Sequence, residues 1–210
     1  MPRNWIHSQL RKRGITDERV LAAMARVPRE LFVPAELRRR AYDDAALALS
    51  HGQTISQPFI VALIAQSLEL AGDERVLDVG TGSGYQAAVL AELAAEVVGI
   101  ERVPELAERA RENLRVAGYD IDVVVGDGAL GLPDRAPFGG IAVAAAADEL
   151  PQPLYGQLEP GRRMVIPIGE RLVAVTRTAD GPRTRVLSPA RFVPLVTGFR
   201  ADEAEMTGPS

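Results

Sequence analysis

The chain has 210 residues, 47% of them hydrophobic, which is enough to bury a full core within one domain. It contains no cysteine, which excludes disulfides, thiolate nucleophiles and thiolate metal sites, and its formal net charge of -4 argues against a broad nucleic-acid surface. No apolar run reaches the roughly 18 residues of a membrane span, and residues 1–13 are too polar for a signal peptide, so a cytoplasmic location is expected.

Residues 4–40 read as short helices without strand character, an N-terminal helical addition. Thr16 or Asp17 can cap a helix whose Val20, Leu21, Met24 and Val27 share one face and which ends at Pro28. Trp5 is expected to fill a gap in that region rather than stack on a ligand, and the clusters Arg11-Lys12-Arg13 and Arg38-Arg39-Arg40 read as solvated helix faces. Residues 42–57 have no period and crowd hydroxyl, amide, imidazole and carboxylate groups together. A loop this polar inside a compact domain is usually functional or exposed. Ser56 stands at a cap position before a helix opened by Pro58, with Ile60, Leu63, Ile64 and Leu68 continuing at helical spacing to Gly72. Either Ser56 is only that cap, or the loop also lies over the turn that follows and holds a second substrate.

Residues 75–86 organise the rest. The apolar run Val76-Leu77 and Val79 breaks into Gly80, Gly82 and Gly84, then passes into the helical pattern Ala87, Ala88, Val89, Leu90 and Leu93. A buried strand, a glycine turn and a helix N-terminus offer close backbone approach and free N–H groups to an anionic or polar ligand. A dinucleotide site wants G-x-G-x-x-G, whereas this spacing is G-x-G-x-G, with Tyr85 and Gln86 where the third glycine would stand. About twenty residues on, Val97-Val98-Gly99-Ile100 ends in Glu101, an acid placed to accept hydrogen bonds from a ribose diol. Asp78 adds a partner for an ammonium group. Ribose, ammonium and carboxylate together describe S-adenosylmethionine.

From there strands and helices alternate. A helix starts near Pro104, with Leu106, Ala110 and Leu114 on its core face, and ends at Gly118. Residues 121–125 form the third strand, closed by Gly126-Asp127-Gly128, whose acid and glycine fall on the ligand side of an open parallel sheet. Residues 138–144 are the fourth strand and 151–158 a short helix. Pro160-Gly161 turns into a strand over 164–168, residues 172–176 and 184–187 flank a hairpin turn at Asp180-Gly181, and 191–195 form a last strand or edge segment. Neither His7 nor His51 has ligand spacing, and no metal site is expected.

Several separate stretches coincide with one family. Val27-Pro28-Arg29-Glu30-Leu31-Phe32-Val33-Pro34, Ala41-Tyr42, His51-Gly52-Gln53-Thr54-Ile55-Ser56-Gln57-Pro58, the glycine turn, Gly126-Asp127-Gly128 and Arg191-Phe192-Val193-Pro194-Leu195 make the chain resemble protein-L-isoaspartate O-methyltransferases over nearly its whole length. The Gln-Thr-Ile-Ser-Gln-Pro stretch is the specific mark, and Ser56 matches the family's active-site serine. Departures occur at Leu47-Ala48-Leu49-Ser50, at Phe138-Gly139-Gly140-Ile141, at Ala144, and in an extra residue within 195–198.

The resemblance implies the α/β class with a Rossmann-like methyltransferase fold: a mostly parallel central sheet with helices on both faces, an N-terminal helical addition and C-terminal antiparallel strands. It implies one domain, with residues 1–57 as helical and loop addition, 58–199 as core and 200–210 as a flexible tail. The cofactor would be S-adenosyl-L-methionine, leaving as S-adenosyl-L-homocysteine, held by Thr54, Ile55, Asp78, Gly80, Thr81, Gly82, Gly84, Glu101, Asp127 and Gly128. Ser56 would be the catalytic residue, and Asp44, His51, Gln53, Ser56 and Gln57 would meet the substrate, an isoaspartyl protein or peptide. A monomer acting on neither nucleic acid nor membrane is expected. Two other readings stay open: methyl transfer to a different carboxylate, in a ribosomal peptide or a small acid, and cofactor binding without turnover.

Overall fold

The structure, a computed structural model, describes residues 5–48 and 52–198. His51, Leu49-Ser50 and the expected tail at 200–210 lie outside the described residues.

Helix α1 (Glu18–Arg26) starts at Asp17, whose carboxylate accepts from the N–H groups of Arg19 and Val20, and it buries Val20, Leu21 and Met24. Asp17, not Thr16, is the cap. Trp5 is 4% exposed and packs its ring 5.1 Å from that of Tyr42, filling the core as expected. The polar stretch 42–57 is not all loop. Strands β1 (Leu47–Ala48) and β2 (Thr54–Ile55) pair antiparallel, burying Leu47 and Ile55 and exposing Ala48 and Thr54. Backbone entering the body of the protein must pair its polar groups, and a two-stranded ribbon does so.

Helix α2 (Pro58–Leu68) has Gln57, not Ser56, at its N-cap, with no side-chain cap bond. Pro58 already removes one of the N–H groups a cap would serve. The helix stops at Leu68, short of Gly72, because Glu69 adopts a left-handed conformation with φ 52°. There follow β3 (Arg75–Val79), α3 (Tyr85–Ala91), β4 (Glu96–Glu101), α4 (Pro104–Ala117), β5 (Asp122–Val125), β6 (Phe138–Val143), α5 (Gln152–Gln157), β7 (Leu158–Ile168), β8 (Arg171–Thr178) and β9 (Gly181–Pro189). The seven-stranded sheet has the order β5-β4-β3-β6-β7-β8-β9. Pairing is parallel from β5 to β7 and antiparallel through β8 and β9, the expected mixed Rossmann-like sheet.

Alternation along the strands divides the core. Val76, Val97, Val123, Ala142 and Val165 face a cluster built with α1 to α4, whereas Leu77, Val79, Ile141, Val143 and Met164 face a second one under α5. The N-terminal elements join the first of these clusters directly through Leu10, Ile15 and Val27.

One expectation fails toward the C-terminus and one is narrowed. Pro160-Gly161 is not a turn between elements but lies inside β7, where the register slips between Phe138 and Gly140 and Gly161 takes φ 82°. Of the two alternatives for residues 191–195, the structure gives the edge segment: they contribute one bridge, Ala146 to Pro194, with Ala146 N–H donating to Val193 and Leu195 N–H to Ala146. Pro194 has no N–H with which to extend a ladder. Gly139 gives room to a neighbour: an added Cβ would come 2.6 Å from Glu74, whose buried carboxylate pairs with Arg162 at 2.8 Å.

The chain starts the sheet at β3, builds outward to β5, then crosses back to place β6 on the other side of β3. Ligands of open α/β sheets bind at such a reversal, beyond the carboxyl ends of the strands. Here those ends deliver Gly80 after β3, Glu101 in β4 and Ala144 after β6.

Candidate active site

Three cavities meet at that reversal. One is lined by Gly80, Gly82, Glu101 and Gly128 together with Gln53 and Thr54. A second is lined by Thr54, Ile55 and Ser56 on one side and by Gly80, Thr81 and Gly82 on the other. The third, of about 420 Å³, has Thr54, Ser56, Gln57, Arg191 and Phe192 in its walls. Thr54 and Ala144 border all three. The 53–57 segment therefore lies against the glycine turn, on the same end of the sheet.

Gly80 and Gly82 take φ 79° and 56°, left-handed values that bring their backbone to the cavity wall. The turn is held by Glu101, 5% exposed, whose Oε2 accepts from Gly82 N–H at 2.9 Å and Oε1 from Val103 N–H at 3.0 Å. Each oxygen keeps acceptor capacity for a further donor. Thr81 donates its hydroxyl to the Asp78 carbonyl at 3.1 Å, locking the turn to the end of β3.

Asp78 is fully buried and lines none of these cavities. Its Oδ1 accepts from Gln86 Nε2 at 2.7 Å, and Gln86 is in the wall of the second cavity. Among the described residues, Asp78 Oδ2 and Gln86 Oε1 are both buried without a hydrogen-bond partner. Two adjacent groups thus present unmet acceptors, which is what an ammonium, with donors only, would satisfy. Burial pushes the Asp78 carboxyl up to about 6, against the lowering effect of the Gln86 amide. The glycine cradle, the Glu101 carboxylate and these orphaned acceptors fit the polar groups of S-adenosylmethionine.

Other expected residues take different roles. Gly84 is away from the cavities: its φ is 89° and an added Cβ would come 3.0 Å from Leu114, so it lets α3 pack on α4. Asp127 does not line the cavity either. Its Oδ1 accepts from Ala129 N–H at 2.9 Å and its Oδ2 from Gly198 N–H at 2.7 Å, so the carboxylate ties down the chain after β9. That chain, through Val193, Leu195 and Val196, closes one side of the first cavity. Asp44 is bound by the Gln57 side chain at 2.6 Å and by Arg13 at 3.0 Å, which orders the loop without lining the third cavity. Among the described residues the Ser56 hydroxyl makes no hydrogen bond, while its carbonyl accepts from Arg29 Nη2 at 2.8 Å.

Gly128 needs space rather than special dihedrals, since an added Cβ would lie 2.7 Å from Val79 Cγ1. Gly128→Ala is expected to destabilise the protein by about 1–3 kcal/mol and to loosen the first cavity. Thermal unfolding, followed by titration with S-adenosylhomocysteine, checks both effects.

Two features escaped the sequence reading, the roles of Arg29 and Gln86, and two were seen only as departures from the family, Ala144 and residues 195–198, where the structure places a junction of the cavities and part of a cavity wall. Gln86 left a signal, a lone amide among the buried residues of α3.

The fold and this site define a Rossmann-like methyltransferase with an adjoining acceptor cleft. The family described as protein-L-isoaspartate(D-aspartate) O-methyltransferase matches residues 2–200. A protein-L-isoaspartate O-methyltransferase of Methanoculleus marisnigri is 53% identical over 199 residues, covering 92% of this chain and 90% of its own. One from Aeropyrum pernix is 53% identical over 207 residues, covering 92% of this chain and 80% of its own. A Plasmodium falciparum protein-L-isoaspartate O-methyltransferase, crystallised with S-adenosyl-L-homocysteine, superposes with a TM-score of 0.80 at 27% identity, covering 92% of this chain and 97% of its own. The chain belongs to the protein-L-isoaspartate(D-aspartate) O-methyltransferase family.

Proposed function

We infer that the protein transfers the methyl group of S-adenosylmethionine to the free carboxylate of L-isoaspartyl residues in damaged proteins and peptides, a repair activity. Family membership supports the reaction. The observation that carries the site is the common cavity of the 53–57 segment and the glycine turn, with the third cleft opening beside Ser56. When bound, the cofactor supplies an electrophilic methyl on a sulfonium, which leaves as the neutral thioether of S-adenosylhomocysteine.

The chain has to do little acid-base work. A carboxylate with an ordinary pKa near 4 is already ionised at neutral pH, so no general base is needed to unmask the attacking oxygen. The protein's contribution is to aim that oxygen along the methyl–sulfur axis and to exclude the water that solvates it. Ser56, whose hydroxyl makes no hydrogen bond among the described residues, donates to the acceptor carboxylate. Thr54 and Ala144 form the passage from acceptor cleft to cofactor cavity, and Gln53 and Gln57 flank it. Glu101 takes the ribose hydroxyls, and Asp78 with Gln86 takes the ammonium. Asp44 and Asp127 act at one remove, ordering the two segments that close the site. The reading extends to a single-domain monomer in the cytoplasm, supported by the continuous hydrophobic cluster from Trp5 to Ala174 and by the cysteine-free composition.

A radiolabelled methyl-transfer assay on an isoaspartyl peptide and its normal aspartyl twin tests the function. Base-labile label is expected in the isoaspartyl peptide only; label in both, or only in the twin, would point to another carboxylate. Ser56→Ala is expected to lower kcat about tenfold, the loss of one charge-assisted hydrogen bond. Titration with S-adenosylhomocysteine should give unchanged affinity, and a parallel loss of affinity would make Ser56 a structural residue.

A further inference from the structure

Arg29 is completely buried, a state arginine reaches almost only when paired. Among the described residues no carboxylate neutralises it. Instead its Nε donates to the Ala41 carbonyl at 2.6 Å, its Nη2 donates to the Ser56 carbonyl at 2.8 Å, and its guanidinium carbon lies 4.6 Å from the centre of the Tyr85 ring. These three contacts join three parts of the site. Ala41 opens the polar segment, Ser56 carries the hydroxyl beside the acceptor cleft, and Tyr85 is the first residue of α3, directly after the glycine turn.

A buried cation facing carbonyls is an expensive way to satisfy two acceptors. A planar fork that also stacks on an aromatic face can, however, fix two carbonyls and a ring in one arrangement, which neither an ammonium nor an amide can do. Tyr85 is itself held, its ring packed edge-on against Phe32 at 5.7 Å and its hydroxyl against Met24. The guanidinium therefore references Ser56 to the same rigid element that bears the glycine turn.

We propose that Arg29 is a positioning residue for methyl transfer, setting the place of the Ser56 hydroxyl relative to the cofactor turn through its bonds to the Ser56 and Ala41 carbonyls and its stacking on Tyr85. The inference rests on the role given to Ser56 above. Lysine has three donors on one nitrogen but no planar fork to stack on Tyr85 while fixing both carbonyls, and glutamine lacks the charge and the fork, so Arg29→Lys and Arg29→Gln both release this arrangement.

The test is a mutant cycle with Ser56→Ala, reading kcat and KM for the isoaspartyl peptide, affinity for S-adenosylhomocysteine, and amide exchange. In the Ser56 background each Arg29 variant is expected to lower kcat roughly ten- to hundredfold, the scale of a misplacement of about 1 Å. Affinity for S-adenosylhomocysteine should stay within about twofold. In the Ser56→Ala background the same substitutions should cost less than about twofold, because the group that Arg29 aims is gone. Amide exchange should quicken in residues 53–58 and remain unchanged in α4. Equal losses in both backgrounds, or quickened exchange in both regions, would reduce Arg29 to a general stabiliser. If the wild type fails to methylate the isoaspartyl peptide, the functional reading falls, and the exchange comparison still decides whether Arg29 holds the Ser56 segment.

Discussion

Glu101→Ala is expected to weaken binding of S-adenosylhomocysteine by roughly a hundredfold or more, with hydrogen bonds to a charged acceptor contributing about 1.5–3 kcal/mol each. The carboxylate acts on both sides of the cavity wall. Toward the protein it satisfies Gly82 N–H and Val103 N–H, and so keeps the turn in its left-handed path. Toward the cavity its remaining lone pairs are the acceptors available for a ribose diol at the end of β4. Alanine removes the ligand's partner and leaves two backbone donors unpaired. Glu101→Gln retains one acceptor oxygen and should fall between alanine and wild type. Calorimetric titration measures the series, and an alanine variant that binds with wild-type affinity would remove Glu101 from the cofactor site.

Asp78→Asn should separate stability from binding. The folded protein raises the Asp78 carboxyl to about 6 from an ordinary value of 3.8, mainly through burial. The native state then holds the proton more firmly than the unfolded chain. The contribution of this group to stability is fully present below pH 3.8 and is lost as pH rises through about 6. At neutral pH the ionised carboxylate costs about 3 kcal/mol relative to its protonated form. Asparagine avoids ionisation, so the variant is expected to melt higher at pH 7, with little gain near pH 4.

Binding should move the other way. In the proposed site the Oδ2 beside Gln86, unpartnered among the described residues, would be the anionic acceptor for the cofactor's ammonium, and asparagine loses that charge. Affinity for S-adenosylhomocysteine should drop at least about tenfold at pH 7, the scale of one charged hydrogen bond. In the wild type the affinity should fall as pH drops below about 6 and Asp78 takes up its proton, and in Asp78→Asn that dependence should disappear. Titrations between pH 5 and 8 decide the matter: a pH profile unchanged by the substitution would show that the carboxylate does not face the ligand's charge.

The central half of the fold was readable from local patterns. The β3 strand, the glycine turn and α3 follow from an apolar run, a G-x-G-x-G spacing and a helical period, and α4 follows from Pro104, its core stripe and Gly118. The hairpin of β8 and β9 was equally legible from two short runs flanking the turn signal Asp180-Gly181, although Gly181 itself opens β9. Elements whose pairing is distant were not. The β1–β2 ribbon is too short to show a period, and Pro160-Gly161 reads as a turn until the slip against β6 shows it to be a bulge within β7.

By itself the sequence determined the α/β class, the cofactor turn and, through the Gln53 to Pro58 stretch, the family, because each rests on residues adjacent in the chain or on a repeating pattern of burial. Tertiary structure decided which polar groups have work left to do. Asp127 and Asp44 are engaged by Gly198, Ala129, Gln57 and Arg13, while among the described residues the Ser56 hydroxyl and Asp78 Oδ2 have no hydrogen-bond partner. Whether a hydrogen bond is satisfied depends on partners many residues away, brought close only when β6 crosses beside β3 and Arg29 closes onto Ser56 and Tyr85.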